Sequence, residues 1–153
     1  MRTWRAFIET VQDLLSALEV DLSSHGLTLG DYQVLVHLSE QEHLSMRMCD
    51  LASRLQLSPS GLTRRLDGLV RSGLVSRRPS TDDGRVILAV LTADGRRVLE
   101  RVAPHHVESV RHHLIDRIDP SDLDAMARVF ETVRAGLDTE VLDRESAGAR
   151  RRA

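Results

Sequence analysis

Apolar residues along this chain recur mostly at helical spacing. Trp4, Phe7, Ile8, Val11, Leu14, Leu15, Leu18 and Leu22 return every three or four positions, which predicts a long first helix ending near His25-Gly26. Leu29 to Leu38 predicts a second helix, entered around Asp31, with Tyr32, Leu35 and Leu38 turned inward. Ser45 to Leu55 predicts a third, with Leu51, Ala52 and Leu55 on one face. Ser58 to Arg71 predicts a fourth, in which Leu62, Leu66, Leu69 and Val70 share a face. Leu57 tucks under the turn between these last two, Ser58 suits the N-cap, and Pro59 suits the first helical position. Gly73 closes the fourth helix.

After Gly73 the period changes. Leu74 to Arg78 is short and β-branched or basic, Ser80-Thr81-Asp82-Asp83-Gly84 is a dense turn signal, and Val86 to Leu91 predicts a second strand. A hairpin directly after a helix-turn-helix is a wing. Thr92 then caps a helix carrying Val98, Leu99, Val102, Val107, Val110, Leu114 and Ile118, with Pro104 expected to kink or interrupt it. Asp119-Pro120 restarts a last helix through Leu123, Met126, Phe130, Val133 and Leu137. The predicted order is α-α-α-α-β-β-α-α, mainly α with a small β-wing. It divides into a dimerisation helix (1–30), a winged helix-turn-helix DNA-binding domain (31–95), dimerisation helices (96–142) and a frayed tail (143–153). The terminal helices carry more apolar surface than the small central core can cover, which predicts a homodimer.

The face of the fourth helix opposite its leucines carries Ser60, Arg64, Gly68 and Arg71, with Gly61 and Thr63 on the flanks. Small residues, hydroxyls and guanidinium groups are what a helix entering a DNA major groove needs. Charge changes the picture further. The net charge of −2 over 153 residues looks wrong for a DNA binder. Yet residues 1–50 hold 3 arginines against 8 acids, residues 51–102 hold 10 against 5, and residues 103–153 hold 8 against 10. A basic middle between acidic ends points one face at a polyanion. All the basic residues are arginines, a bias that genome composition produces as readily as function. No apolar run is long enough to span a bilayer and no secretory leader is evident, so a cytoplasmic protein without membrane association is expected. Its single cysteine fits a reducing compartment.

The stretch from Asp50 to Leu99 resembles the MarR family of winged-helix regulators. The resemblance is carried by the Leu51-Ala52 pair, Ser58-Pro59-Ser60, Thr63-Arg64, Leu66, Asp67, Leu69 and Gly73-Leu74-Val75. It continues through the wing residues Asp83-Gly84-Arg85 and the closing Leu91-Thr92 with Gly95. It implies a dimer whose terminal helices interlock and hold two winged lobes over a near-palindromic operator, normally as a repressor released by a small-molecule effector. By position it makes Ser58, Ser60, Gly61, Thr63, Arg64 and Arg65 groove candidates and Arg85 the wing-tip arginine, with Asp83 pairing locally to shape the tip. Physically, Arg64 can bind a guanine edge with two hydrogen bonds, worth about 1–3 kcal/mol of discrimination. Arg85 suits a narrow minor groove. Arg71, Arg77 and Arg78 suit phosphates, which add salt-dependent affinity but little sequence information. Two-fold symmetry predicts half-sites roughly 10 base pairs apart.

Other features carry weaker chemistry. His105-His106 and His112-His113 lie on one predicted helix and could form a zinc-responsive site, though no pair has the i, i+4 spacing that chelates tightly. No metal or cofactor is assigned. Cys49, near a predicted helix start, reads as a small buried or half-buried residue rather than a redox sensor. Trp4, Phe7, Tyr32 and His37 could line a pocket for an aromatic effector; core packing explains them equally well. No nucleophile-base pair, phosphate-binding loop or paired catalytic carboxylates occur, so an enzyme is not expected. A winged-helix module that binds a protein partner is the remaining alternative.

Overall fold

The computed structural model describes the backbone of residues 1–150 and the side chains of residues 1–137. Its helices are α1 (Arg2–Ser23), α2 (Leu29–Ser39), α3 (Met48–Arg54), α4 (Pro59–Arg71), α5 (Ala93–His113) and α6 (Pro120–Arg150). Its strands are β1 (Ser45–Arg47), β2 (Val75–Pro79) and β3 (Ile87–Leu91), antiparallel in the order β1-β3-β2. The chain divides into two units, Met1–His113 and Leu114–Ala153.

Local signals place most of these elements. Thr28 and Asp31 form a reciprocal capping box at the start of α2, each side chain bonding the other's backbone N–H. Ser58 Oγ accepts the Gly61 N–H at 3.1 Å, and Pro59 occupies the first position of α4. At the far end of α4, Gly73 takes φ +72°. The Leu74 N–H then reaches the Leu69 carbonyl at 2.9 Å, a left-handed cap that turns the chain into β2. Between α3 and α4 the same geometry falls on Gln56, at φ +53°, with the Leu57 N–H on the Ala52 carbonyl at 2.9 Å. Thr92 Oγ1 donates to the Gly73 carbonyl at 2.7 Å and accepts from the Gly95 N–H at 3.0 Å, locking the start of α5 to the end of α4.

Leu35 and Leu38 of α2, Leu51 of α3, Leu62 and Leu66 of α4, Val75 of β2 and Val102 of α5 are fully buried in one core. Each such side chain contributes about 1.5–3 kcal/mol by leaving water. That core holds α4 leucine face inward, so the opposite face is left exposed.

Three expectations need correction. Where the pattern predicts one helix over 45–55, residues 45–47 form β1, paired to β3 through Ser45↔Val90, Met46↔Ala89 and Arg47↔Leu88. Met46 is buried, and the strand draws its hydrogen bonds from residues far along the chain, which a local period cannot reveal. Pro104 does not interrupt α5, which is helical on both sides of it. That helix stops at His113 rather than Ile118, because Leu114 leaves the helical region (φ −127°) and a single 3-10 turn, Ile115–Arg117, follows.

In the second unit, α6 starts as predicted. Asp119 Oδ1 accepts from the Ser121 N–H at 2.9 Å and Pro120 opens the helix. Its backbone runs helical to Arg150, through much of the stretch expected as a frayed tail. The side chains of 138–150 and all of 151–153 lie outside the described residues. No helix among the described residues is long and apolar enough to cross a membrane.

Candidate nucleic-acid interface

The outer face of α4 and the wing form one surface. Ser60, Thr63, Arg64 and Arg71 are exposed on α4, as are Arg78 and Arg85 on the hairpin. Ser58 Oγ, besides capping the helix, lies 3.2 Å from Ser60 Oγ. Gly61 donates its N–H to that cap, so its contribution is local. Thr63 Oγ1 donates to the Pro59 carbonyl at 2.9 Å, which leaves its methyl group and oxygen lone pairs facing out. The guanidinium of Arg64 makes no hydrogen bond or ion pair among the described residues and is available to a base edge. Arg71 Nε donates to the Asp67 carbonyl at 3.2 Å, leaving its terminal nitrogens open.

Two arginines are placed differently from the rest. Arg65 is half-buried, and its guanidinium lies against Gly30 in the first turn of α2, where a glycine Cβ would occupy the same space. It packs between helices rather than beside Arg64. Arg77 turns back onto α4, with Nη1 on Asp67 Oδ1 at 2.8 Å and Nη2 on the Thr63 carbonyl at 2.9 Å. A phosphate would have to compete with a carboxylate already in place. Arg78, one residue on, points to the opposite face of the strand and is exposed.

The wing tip is shaped by its own polar groups. Asp83 Oδ1 accepts the Arg85 N–H at 3.0 Å, the Val86 N–H reaches the Asp83 carbonyl at 2.9 Å, and the Ser80 N–H reaches the Val86 carbonyl at 2.7 Å. These bonds leave the Arg85 side chain outside the turn. Between α4 and the wing runs an open groove of about 520 Å³, lined by Thr63, Arg77, Arg85 and Ile87, and also by Arg47 and Cys49. Cys49 is exposed there, contrary to the buried or half-buried thiol expected, because α3 begins after β1 and its first turn faces solvent. The sequence pattern missed Arg47 and Asp67 as parts of this surface. Spacing already signalled Asp67, one turn after Thr63 on the exposed face.

The proposed aromatic-effector residues are not brought together within one chain. Trp4 and Phe7 pair at 6.3 Å near the start of α1 and are exposed. Tyr32 is buried against His106, ring centroids 4.3 Å apart. Leu22 and His25 at the far end of α1 line a water-sized gap of about 20 Å³ beside His106, and the rise from Trp4 to Leu22 is roughly 27 Å. His37 Nδ1 lies 3.7 Å from the carboxylate of Glu40, the C-cap of its own helix.

His25, His105 and His113 connect the end of α1 to α5. His25 stacks on His105 at 4.8 Å, and His113 Nε2 lies 3.0 Å from Asp21 Oδ2. Ser109 also donates to that carboxylate. These two bonds, Ser109's first, hold the Asp21 carboxyl below its ordinary range. His112 and His113 meet edge to face at 4.9 Å. Among the described residues no group of three or more His, Cys, Asp or Glu is placed to hold a metal ion.

Comparison with known proteins agrees with this geometry. The model of the MarR family matches residues 27–87, spanning α2, the helix-turn-helix, β2 and the wing turn up to the first residue of β3. The solved structure of AbsC, a MarR-family transcriptional regulator from Streptomyces coelicolor, is 39% identical. It superposes with a TM-score of 0.85 over 90% of this chain and 93% of that one. Sco3205 from the same organism, a MarR-family regulator solved in complex with DNA, is 32% identical with a TM-score of 0.83 over 88% of both chains. The HTH-type transcriptional repressor YetL of Bacillus subtilis is 33% identical over 93 residues, 61% of this chain. That match spans only 56% of the length of YetL. With its helix-turn-helix and wing matched in both sequence and fold, this chain belongs to the MarR family, a family of transcriptional regulators rather than enzymes.

Proposed function

We propose that this protein is a dimeric, sequence-specific DNA-binding repressor acting in the cytoplasm and released from its operator by a small-molecule effector. The observation that carries the reading is the joint presentation of α4 and the wing. Arg77 ties the two together, and exposed Thr63 and Arg85 line the same groove between them. A duplex lying along that groove meets α4 in its major groove and Arg85 in the neighbouring minor groove. Arg64 then reads a base edge, while Arg71 and Arg78 serve phosphates.

Exposed apolar residues support the dimer. Trp4, Phe7 and Leu15 line the first two-thirds of α1, and Val129, Phe130, Val133 and Leu137 recur at helical spacing on α6. Apolar surface on both terminal helices is what a symmetric, self-complementary interface uses. An aromatic effector would use the α1 surface bearing Trp4 and Phe7 where two protomers meet, and would act by changing the separation of the two α4 helices.

Selection of binding sites from random duplexes, followed by footprinting, tests the reading. Two protected half-sites roughly 10 base pairs apart are expected. Absence of sequence-specific protection at every salt concentration refutes it. Binding that is indifferent to salt would point instead to a protein partner.

A further inference from the structure

We propose that Arg47 is a phosphate-gripping residue: with Arg85 seated in the minor groove as one jaw, Arg47 is the other jaw of a clamp on the DNA backbone where it passes from the groove read by α4 to that minor groove. This rests on the DNA-binding reading above and extends it to a residue outside both the helix and the hairpin. Arg47 is the last residue of β1 and the N-cap of α3, held extended at φ −61° and ψ 142°. Strand alternation buries Met46 against the core and leaves Arg47 outside it, exposed. Its guanidinium has no hydrogen bond or ion pair among the described residues.

The groove it lines has an uneven charge. Three arginines, Arg47, Arg77 and Arg85, contribute to its walls and no carboxylate does. Asp67 on α4 already neutralises Arg77. Two uncompensated positive charges, Arg47 and Arg85, therefore remain in the lining of the groove. Apolar walls from Met48, Val86 and Ile87 are of low dielectric and focus the field of those charges into the groove. A linear polyanion that must pass this point to join two DNA grooves matches that arrangement. A single acidic side chain would occupy one jaw.

The test measures affinity of the full chain for its operator and for a scrambled duplex across a series of salt concentrations. Arg47→Ala should weaken binding to both duplexes by a similar factor, roughly 3–10-fold at moderate salt. It should also reduce the slope of log K against log[salt] by about 0.9 for each phosphate that is no longer neutralised, twice that for a dimer. Arg47→Lys should restore the slope. If Arg47→Ala does not fold, judged by its thermal transition, Arg47→Gln replaces it. A wild-type slope and affinity in the folded variant overturns the clamp. Wild-type protein with no salt-dependent binding to either duplex sinks the DNA-binding reading itself, a separate outcome.

Discussion

Arg77 on the wing and Asp67 on α4 form a bridge that joins the helix to the hairpin. One guanidinium nitrogen sits 2.8 Å from the carboxylate and the other 2.9 Å from the carbonyl of Thr63 one turn back. The second bond fixes the angle as well as the distance, since a planar fork holds two acceptors only in one orientation. As an exposed pair it adds about 0.2–1 kcal/mol to stability. Its larger effect is on geometry.

The two partners should therefore respond differently to removal. Arg77→Ala is expected to lower operator affinity by loosening the wing relative to α4, with little change in the salt slope. Asp67→Ala frees a guanidinium beside the groove and should raise affinity for scrambled DNA while eroding discrimination. Titrations of both variants against operator and scrambled duplex check this. A salt slope reduced in Arg77→Ala would mean that Arg77 grips a phosphate after all.

Gly95 stands where α5 comes closest to the end of α4. A Cβ at this buried position would collide with the Leu74 carbonyl oxygen and press on Leu91. Backbone on the receiving side cannot rotate away as a flexible side chain can. Gly95→Ala is expected to cost about 1–3 kcal/mol of stability, read as a lower midpoint in thermal or urea unfolding. A variant as stable as wild type would show that α5 can shift without loss.

What was legible in the sequence was written within one helical turn. Ser58 and Pro59 announce α4, the Leu62-Leu66-Leu69 stripe orients it, Gly73 ends it, and Thr92 opens α5. Each acts on backbone groups no more than four or five residues away, apart from Thr92, which also reaches Gly73. What stayed hidden depends on partners distant in sequence. Met46 becomes a strand residue only because Ala89 lies beside it. Arg65 leaves the groove set because Gly30 gives its guanidinium a seat. Tyr32 belongs to the core because His106 covers it, so its distance from Trp4 could not be read from spacing. Within the candidate interface, residue types were readable, whereas which arginine was already neutralised was not.

Ser58 sits on the interface and also holds the helix, and the two roles can be separated. Ser58→Ala removes the acceptor for the Gly61 N–H and should destabilise the protein by about 0.5–2 kcal/mol. Ser58→Asp keeps an acceptor at that position and favours the positive end of the helix dipole, so stability should be retained. On the proposed reading the added carboxylate would nevertheless face the duplex. Thermal unfolding and operator binding should thus diverge for Ser58→Asp, with a near-wild-type midpoint and a loss of affinity of at least tenfold. Wild-type affinity for that variant would place Ser58 away from the duplex.

His106 should make stability depend on pH in the mildly acidic range. Burial against Tyr32 disfavours its charged form and lowers its pKa, and its Nδ1 is buried without a partner. The titratable groups around it are Asp21 of α1, His25 just beyond that helix, Tyr32 of α2 and His105 beside it on α5. Unfolding releases the imidazole to its ordinary pKa near about 6.5, where it binds a proton more readily than in the folded chain. The unfolded state therefore gains protons first as pH drops, and stability is full above that value and declines below it. Asp21, whose pKa is also lowered, contributes stability that is present above the ordinary carboxylate range and lost only at more acidic pH, so the two effects occupy different windows. His106→Phe keeps a ring against Tyr32 but cannot titrate. Its unfolding midpoint should vary less than that of wild type between about pH 7.5 and 5.5; an unchanged dependence would assign the effect to another group.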